Sequence, residues 1–413
     1  MPTLLQINTV INSGSTGHIA EELGKLVMEK GWKSYIAYGR NPRPTNSIPI
    51  KIGTKLGVYS HVLLTRIFDR HGFGSYFATK KLIKNIKKIK PDIIHLHNIH
   101  GYYLNIEVLF TYLRTLDIPI IWTLHDCWSF TGHCSHYTAV NCNKWKSSCF
   151  LCPQKKQYPK SLFDNSKKNY KDKKGLFTGL KNLTLVTPSI WLAEEVKKSF
   201  LKEYPVKVIH NGIDLNVFKP IEDKQNLISG TNKRKIILGV ASVWNDRKGL
   251  RDFIELSKML SDDEEIVLVG LTEKQIASLP KNNHITGIRR TENQTQLAEL
   301  YSRAIVFVNP TYEDTFPTTN IESLACGTPV ITYKTGGSPE IIDDNTGFIV
   351  APHEINELRN CVTKVEQIGK EAFSNACRLR AEKHYNNITN FKKYLELYTS
   401  LSELIENKFS KTF

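Results

Sequence analysis

Short apolar runs alternate with longer segments of helical period along the whole chain, a pattern that predicts parallel sheets covered by helices. In the first half, Thr3–Asn8, Ser34–Tyr38, Asp92–Leu96, Pro119–Leu124, Leu183–Thr187 and Val206–Ile209 read as strands, with amphipathic stretches such as Gly17–Lys30 and Ala78–Lys88 between them. The same grammar restarts with Lys235–Val240, Glu265–Val269, His284–Thr286, Ile305–Asn309, Val330–Thr332 and Gly347–Val350. Two doubly wound α/β domains follow, and a length of 413 residues agrees at roughly 150 residues per domain. Asn211 and Gly212 make a turn and Pro220 opens a polar stretch to about Lys233, so the boundary falls near His210–Pro220. The expected domains are residues 1–212 and 213–385. In the tail, 386–413, Phe391, Tyr394, Leu395, Leu397, Tyr398 and Leu401 give a helical apolar face that is expected to pack across the domain junction, with the last few residues frayed.

One segment breaks the pattern. From Cys127 to about Lys174 the chain is rich in aromatics, Cys and Lys and shows no clear period, so 127–174 reads as an insertion after a strand. A loop of that length needs a function or an internal clip. No basic leader opens the chain, and no apolar stretch nears the ~18 residues of a membrane span. A cytoplasmic protein is therefore expected, and in that compartment disulfides are rare. Cys134, Cys142, Cys149 and Cys152 then invite a structural zinc, with the closing CxxC at chelating distance and His133 or His136 able to replace one ligand. Their wider spacings match no standard ribbon or finger, which keeps buried or unpaired thiols as the other reading.

Charge separates the two halves. Through Leu215 there are 31 Lys and Arg against 14 Asp and Glu, and beyond it 25 against 26. Lysines recur at Lys80, Lys81, Lys84, Lys87, Lys88 and Lys90 and again through Lys155–Lys181. Such a field attracts anionic lipid headgroups or a polyanion, at roughly 1 kcal/mol per basic residue near a charged bilayer; the alternative is a solvated face.

Candidate chemistry concentrates in Asp314–Glu340. Asp314 and Glu322 bracket a Pro-bearing loop entering a helix, for which Thr319 or Asn320 is a candidate cap and Gly327 a left-handed stop. Carboxylates can grip hydroxyls bidentately while loop and helix amides hold a sugar or phosphate. Gly336 and Gly337 let the backbone approach a ligand, with Ser338 as a cap, Pro339 at the first helical position and Glu340 in the first turn. Each element alone is equally a capped helix with solvated acids.

The turn His210–Asp214 followed by Phe218 and Pro220, the run Arg247–Gly249 after a strand, and Asp314–Glu340 together resemble family 4 of the retaining glycosyltransferases. Gly14–His18, Asp92–Asn98 and Trp122–Asp126 agree with it, so the resemblance covers nearly the whole chain. The Cys-bearing stretch and Glu313–Glu322 are similar to polysaccharide-assembly enzymes such as those of colanic acid pathways. The resemblance implies the GT-B fold, two Rossmann-like domains facing a central cleft, and transfer of a sugar from a nucleotide-sugar donor to an oligosaccharide or lipid-linked glycan, with retained configuration. It implies no metal for catalysis, no nucleic acid, and a peripheral place at the inner membrane surface.

Residue by residue, the resemblance assigns the nucleotide ribose to Glu322 and the donor sugar to Asp314, which stands where the family usually has Glu. Thr315, Phe316, Pro317 and Thr318 form the sugar loop, and Pro317 offers no amide. Lys248 matches the cation that stabilises the departing diphosphate. Ser242 occupies the usual Arg position, which leaves Arg247 as the nearest guanidinium or as a solvated residue. Gly14, with amides of the first loop, and the helix starting near Pro339 complete the anion cradle, and His125 matches the histidine that points to the sugar. His95, His97 and His100 read as packing with one polar contact, and Trp128, Phe130, Tyr102 and Tyr103 as acceptor faces or core. Two rivals fare worse. A non-catalytic Lys-rich zinc module binding RNA or anionic lipid does not explain the motifs of the neutral half. A GT-B epimerase or phosphorylase would lack the paired acids or need a pyridoxal site.

Overall fold

The computed structural model describes residues 1–221, 234–282 and 284–410, with side chains through Glu403. The polar stretch expected to run to Lys233 thus falls largely outside the described residues, as do the last three residues. Two compact units emerge, one formed by Met1–Ile209 and the chain from Phe391 onward, the other by His210–Asn390.

The first unit holds β1 (Thr3–Ile11), β2 (Lys33–Pro42), β3 (Ile48–Lys51), β4 (Ile93–Leu96), β5 (Ile120–Thr123), β6 (Leu183–Thr187) and β7 (Val206–Val208). Its helices are α1 (Gly14–Glu29), α2 (Lys55–Phe68), α3 (Tyr76–Ile89), α4 (Ile106–Leu113), α5 (Ser166–Phe177) and α6 (Ile190–Lys197). The strands run parallel in the order β3-β2-β1-β4-β5-β6-β7. Helices on both faces explain the unbroken apolar runs: Leu4, Leu5 and Ile7 of β1 and Ile93, Ile94 and Leu96 of β4 are all buried. Six of the seven strands carry the expected periodicity. The edge strand β3 does not, because it is four residues long, mostly exposed and interrupted by Pro49.

The second unit repeats the design with β8 (Lys235–Val240), β9 (Glu264–Val269), β10 (Ile285–Ile288), β11 (Val306–Asn309), β12 (Val330–Tyr333) and β13 (Gly347–Val350), ordered β10-β9-β8-β11-β12-β13. Its helices are α7 (Leu250–Ser257), α8 (Glu273–Ala277), α9 (Gln294–Arg303), α10 (Thr318–Ala325), α11 (Ser338–Ile341), α12 (Ile355–Ile368) and α13 (Lys370–His384). In each unit the strand order reverses once, between β1 and β4 and between β8 and β11. Crevices open beyond the carboxyl ends of strands at such switch points. The segments placed there are 12–14 and 97–100 in the first unit, and 241–248 and 310–318 in the second.

The chain turns at Gly212 into a close backbone contact, where an added Cβ would lie 2.4 Å from the Cα of Asn387. The Ile213 amide donates to Tyr385 O (2.9 Å) and the Asn387 amide to Ile213 O (3.1 Å), sealing that turn to the end of α13. The last helix, α14 (Asn387–Ser410), then gives Phe391, Tyr394 and Tyr398 to the first unit's core beside Leu4, Ile93, Ile121 and Val186. Tyr398 bonds Nδ1 of His95 (2.7 Å), whose Nε2 meets Thr123 Oγ1 (2.8 Å), so His95 is a packed core residue.

The insertion is held from within. Three single 3₁₀ turns, at Trp128–Phe130, Thr138–Val140 and Lys144–Lys146, carry it to α5, which begins eight residues before the expected end of the irregular segment. Five lysines, one of them at an inward position, hide the helical period of α5. That residue, Lys173, is buried, donates to the carbonyls of Trp128 (2.8 Å) and Thr131 (3.1 Å), and lies 3.4 Å from the Trp128 ring centroid. Burial draws its ammonium down to about 7, against the pull of Cys149 and Asp69.

Tyr398 is fully buried, so Tyr398→Ala is expected to destabilise the protein by about 3 kcal/mol. Tyr398→Phe, which removes the His95 bond alone, should cost about 1 kcal/mol. Urea unfolding of the two variants measures both, and equal losses would show that the ring is not what the core uses.

Candidate active site

In the second unit the switch point gathers the acids and cations of the motif segments. Asn245 caps a 3₁₀ turn over Asp246–Lys248 by accepting the Lys248 amide (3.1 Å), and Gly249 ends it in the left-handed region. The carbonyl of Arg247 accepts the Tyr312 amide (2.9 Å), which ties this turn to the loop after β11. Lys248 Nζ then stands 2.6 Å from Asp314 Oδ2, with both side chains about one-fifth exposed. Gly336 abuts the same loop: at φ +52 its missing Cβ would sit 1.7 Å from Asp314 O. Lys248, Asp314, Gly336 and Gly337 therefore form one cluster.

Two details differ from the sequence expectation. The helix α10 begins at Thr318 with Pro317 in the cap position, ahead of Thr319 and Asn320, because proline presets φ and has no amide to satisfy. The α11 helix starts at Ser338 with Gly337 as its cap, one residue earlier than expected. Amides assigned to a ligand are partly committed inside the loop: Gly337 N–H to Asp314 O (3.3 Å), Ser338 N–H to Thr335 O (3.1 Å), and Phe316 N–H to Asp314 Oδ1 (3.2 Å). Thr315, Phe316 and Pro317 are buried and Thr318 half-buried, and the Phe316 ring stacks on His210 at 4.9 Å. Gly327 ends α10 left-handed, as its sequence position suggests.

Glu322, on α10, accepts the hydroxyl of Tyr301 at 3.0 Å. Burial pushes its carboxyl up to about 7, against the bonds from Tyr301 and Thr318. Tyr301 lies 21 residues upstream on α9, and nothing in the local pattern marks it. Arg247 is half-buried on the Lys248 turn, and Ser242 is exposed on the loop after β8.

In the first unit a second set of polar groups lies beyond β1, β4 and β5. Gly14 opens α1 at φ +60 and lines an open cavity of about 510 Å³ with Ser13, Ser15, Thr16, Arg43 and Asn98. Gln6 donates its amide to Ala20 O (2.7 Å), which turns its carbonyl oxygen to His97 Nε2 (3.0 Å). His97 Nε2 must then carry the hydrogen. Its bare Nδ1 faces His125 Nε2 at 3.3 Å, and that nitrogen must carry the next hydrogen. Burial keeps His97 well below its usual range and takes His125 to about 4, so both rings are neutral near pH 7. Beside them His100 Nε2 pairs with Asp126 (2.9 Å) and its Nδ1 with Tyr158 (3.1 Å). Burial works against ionisation of Asp126, but His100, His136 and the Trp128 amide together outweigh it and draw the carboxyl down to about 2. His100 and Asp126 are thus a polar pair, and Trp128, Phe130 and Tyr103 are core.

Cys134, Cys142, Cys149 and Cys152, the expected zinc ligands, lie near one another. All four line one small cavity, yet among the described residues no group of three or more His, Cys, Asp or Glu side chains is gathered to hold a metal ion. Three of the thiols have polar neighbours: Cys149 Sγ accepts the Gly132 amide (3.2 Å), and Cys134 and Cys152 hydrogen-bond each other, drawing Cys152 down and pushing Cys134 up. Burial pushes Cys149 up to about 12, as a neutral thiol in an apolar wall requires. His133 is held by Asp69 instead.

Among known proteins, residues 16–217 match the model for Glycosyltransferase Family 4 and residues 222–387 the model for Glycosyl transferases group 1. The chain is 25% identical over 371 residues to a putative colanic acid biosynthesis glycosyl transferase, WcaC, of Escherichia coli, covering 86% of this chain and 89% of that protein. It is 29% identical over 224 residues to the N,N'-diacetylbacillosaminyl-diphospho-undecaprenol alpha-1,3-N-acetylgalactosaminyltransferase of Campylobacter jejuni, covering 50% of this chain and 57% of that one. In fold it resembles sucrose-phosphate synthase from Thermosynechococcus elongatus (TM-score 0.73, 17% identity, 97% and 99% coverage) and Anabaena HepE in complex with UDP (0.67, 16%, 97% and 100%). The two Rossmann-like units are those of the GT-B fold.

The folded Glu322 carboxyl titrates near 7 against an ordinary 4.5, so the native state binds more protons between those values. Its contribution to stability is whole below pH 4.5 and is lost as pH rises through 7, a cost of up to about 3 kcal/mol. Glu322→Gln is therefore expected to raise the melting temperature at pH 8 and to lose that advantage towards pH 5. Thermal scans at the two pH values check it; an equal shift at both would refute the assignment.

Proposed function

The chain belongs to the glycosyltransferases built from a Family 4 domain followed by a group 1 domain, and from that membership we propose that it moves a hexose-type sugar from a nucleotide-sugar donor to a lipid-linked oligosaccharide in surface-polysaccharide assembly, with retention. The relatives' names support the acceptor class: one is a putative colanic acid biosynthesis enzyme and another is named for a diphospho-undecaprenol glycan. The observation that carries the reading is the Lys248 ammonium held 2.6 Å from Asp314 beside the close turn at Gly336.

An ammonium has three donors, and one is committed to Asp314. A bound diphosphate can take the others, and the charge it shares with Lys248 loosens the carboxylate's hold. Asp314 is then able to accept a hydroxyl of the donor sugar, in a loop backed by Thr315, Phe316, Pro317 and Thr318. Glu322 grips the ribose hydroxyls, oriented by Tyr301. As the glycosidic bond breaks, negative charge grows on the leaving phosphate, and a fixed cation stabilises that state more than the ground state. Arg247, on the same turn as Lys248, adds positive field there. The acceptor hydroxyl attacks from the leaving-group face and gives its proton to the departing phosphate, so no enzymic nucleophile is required. His125 keeps its Nε2 hydrogen on His97 and presents a neutral ring to a substrate hydroxyl, while Gly14 gives the backbone room for the ligand. Asp314 is one methylene shorter than the Glu usual in the family, which shifts the sugar or its pose.

Lys248→Ala is expected to lower kcat about 10²- to 10³-fold, whereas Glu322→Ala should act mainly through donor KM. Transfer assays and thermal-shift titration with nucleoside diphosphates and their sugars test this. Near-normal turnover in both variants, with no nucleotide stabilising the wild type, sinks the reading.

A further inference from the structure

A helix on a soluble protein keeps its apolar stripe against the core. The α2 helix does the reverse. Its buried positions are His61 and Thr65, while Leu56 is 80% exposed and Tyr59 and Leu63 are exposed with it. Those three recur at i, i+3 and i+7 and share the face opposite His61. At the C-terminal end of the helix Phe68, Leu162 and Phe163 are exposed as well, and the Leu162 and Phe163 amides donate to Arg66 O (2.7 Å) and Ile67 O (3.2 Å). The first turn of α3 adds Phe77, 83% exposed. An open cavity of about 430 Å³ runs between the two helices, with Ile52, Val58, Tyr76 and Phe77 in its wall and Lys51 and Lys81 among its lining residues.

Scattered exposed leucines need no explanation, but a contiguous stripe of this kind marks an interaction face. Charge identifies the partner. Residues 51–90 contain ten Lys or Arg and one acid, Asp69, which is buried on His133. Lys51, Lys55, Arg66, Lys80, Lys81 and Lys84 are exposed around the apolar stripe. A partner that is apolar to the depth of a side chain and anionic at its surface is a bilayer bearing acidic headgroups. A second copy fits badly, because a two-fold contact would bring the same cations together.

We propose that α2, the start of α3 and Leu162–Phe163 dock this chain on an anionic lipid bilayer, the apolar side chains entering the acyl boundary and the lysines meeting the headgroups. This deepens the lipid-linked acceptor reading and rests on it for its purpose, although docking is measured without any transfer.

Cosedimentation of the full chain with vesicles of equal parts phosphatidylcholine and phosphatidylglycerol, against pure phosphatidylcholine, is the test. Binding is expected on the anionic vesicles alone and should weaken with salt. The triple variants Leu56→Asp, Leu63→Asp, Phe77→Asp and Lys80→Glu, Lys81→Glu, Lys84→Glu should each lose about tenfold or more while keeping the wild-type melting temperature. No binding by the wild type, equal binding to both vesicles, or unaltered binding by the Asp variant overturns the proposal. So does a concentration-dependent dimer in light scattering that the Asp variant abolishes, which would make a second copy the occupant. Vesicle binding without sugar transfer would leave docking standing and remove the transferase reading, and transfer to a water-soluble acceptor without vesicle binding would do the opposite.

Discussion

An ammonium and a carboxylate 2.6 Å apart, neither fully in water, hold the second unit's loops in register. Lys248 belongs to the turn after β8 and Asp314 to the loop after β11, and these strands flank the reversal of strand order. Pairing compensates both for the hydration that partial burial removes. Gly336 closes the arrangement from a third loop, because any side chain there would collide with Asp314 O. The cluster is thus pre-organised around a cation whose present partner is exchangeable. An anionic ligand can compete for Lys248 without the loops having to be rebuilt.

The first unit solves a different problem, keeping several histidines buried and neutral. One amide, Gln6, fixed by the Ala20 carbonyl, sets the hydrogen on His97 and through it the hydrogen on His125. His95 is removed from this chain by Tyr398 and Thr123, and His100 by Asp126 and Tyr158. Each imidazole therefore has a defined tautomer or partner, and a ring that meets substrate need not reorganise. The same unit carries the chain's excess of positive charge, and on α2 and α3 that charge surrounds exposed apolar side chains, a combination that gives the lysines a purpose beyond solubility.

Much of this was legible in the chain. Among the described residues, twelve strands follow from apolar runs because a parallel sheet buried on both faces demands them, and only the short, exposed edge strand Ile48–Lys51 escapes. The glycines of Asp314–Glu340 mark a close approach, Gly336 against Asp314 O, because only glycine fits where backbones meet. The α10 helix starts two or three residues ahead of the Thr319 or Asn320 caps its sequence offers, as Pro317 takes the cap position, and the lysines of α5 hide its period. The four cysteines, crowded along the chain, line one small cavity in the fold.

Order along the chain, the alternation of strands and helices, the charge asymmetry and the identity of the motif residues were set by sequence alone, since each depends on neighbours a few positions apart. Which groups meet was decided by tertiary structure: Lys248 with Asp314, Tyr301 with Glu322, Gln6 with His97, Tyr398 with His95. These partners are separated by 21 to several hundred residues, and no local period encodes such a distance. Protonation followed the same division. Residue type sets the ordinary range of a carboxyl or imidazole, but burial moved Glu322 up and His125 down, because desolvation is a property of the fold and not of the chain.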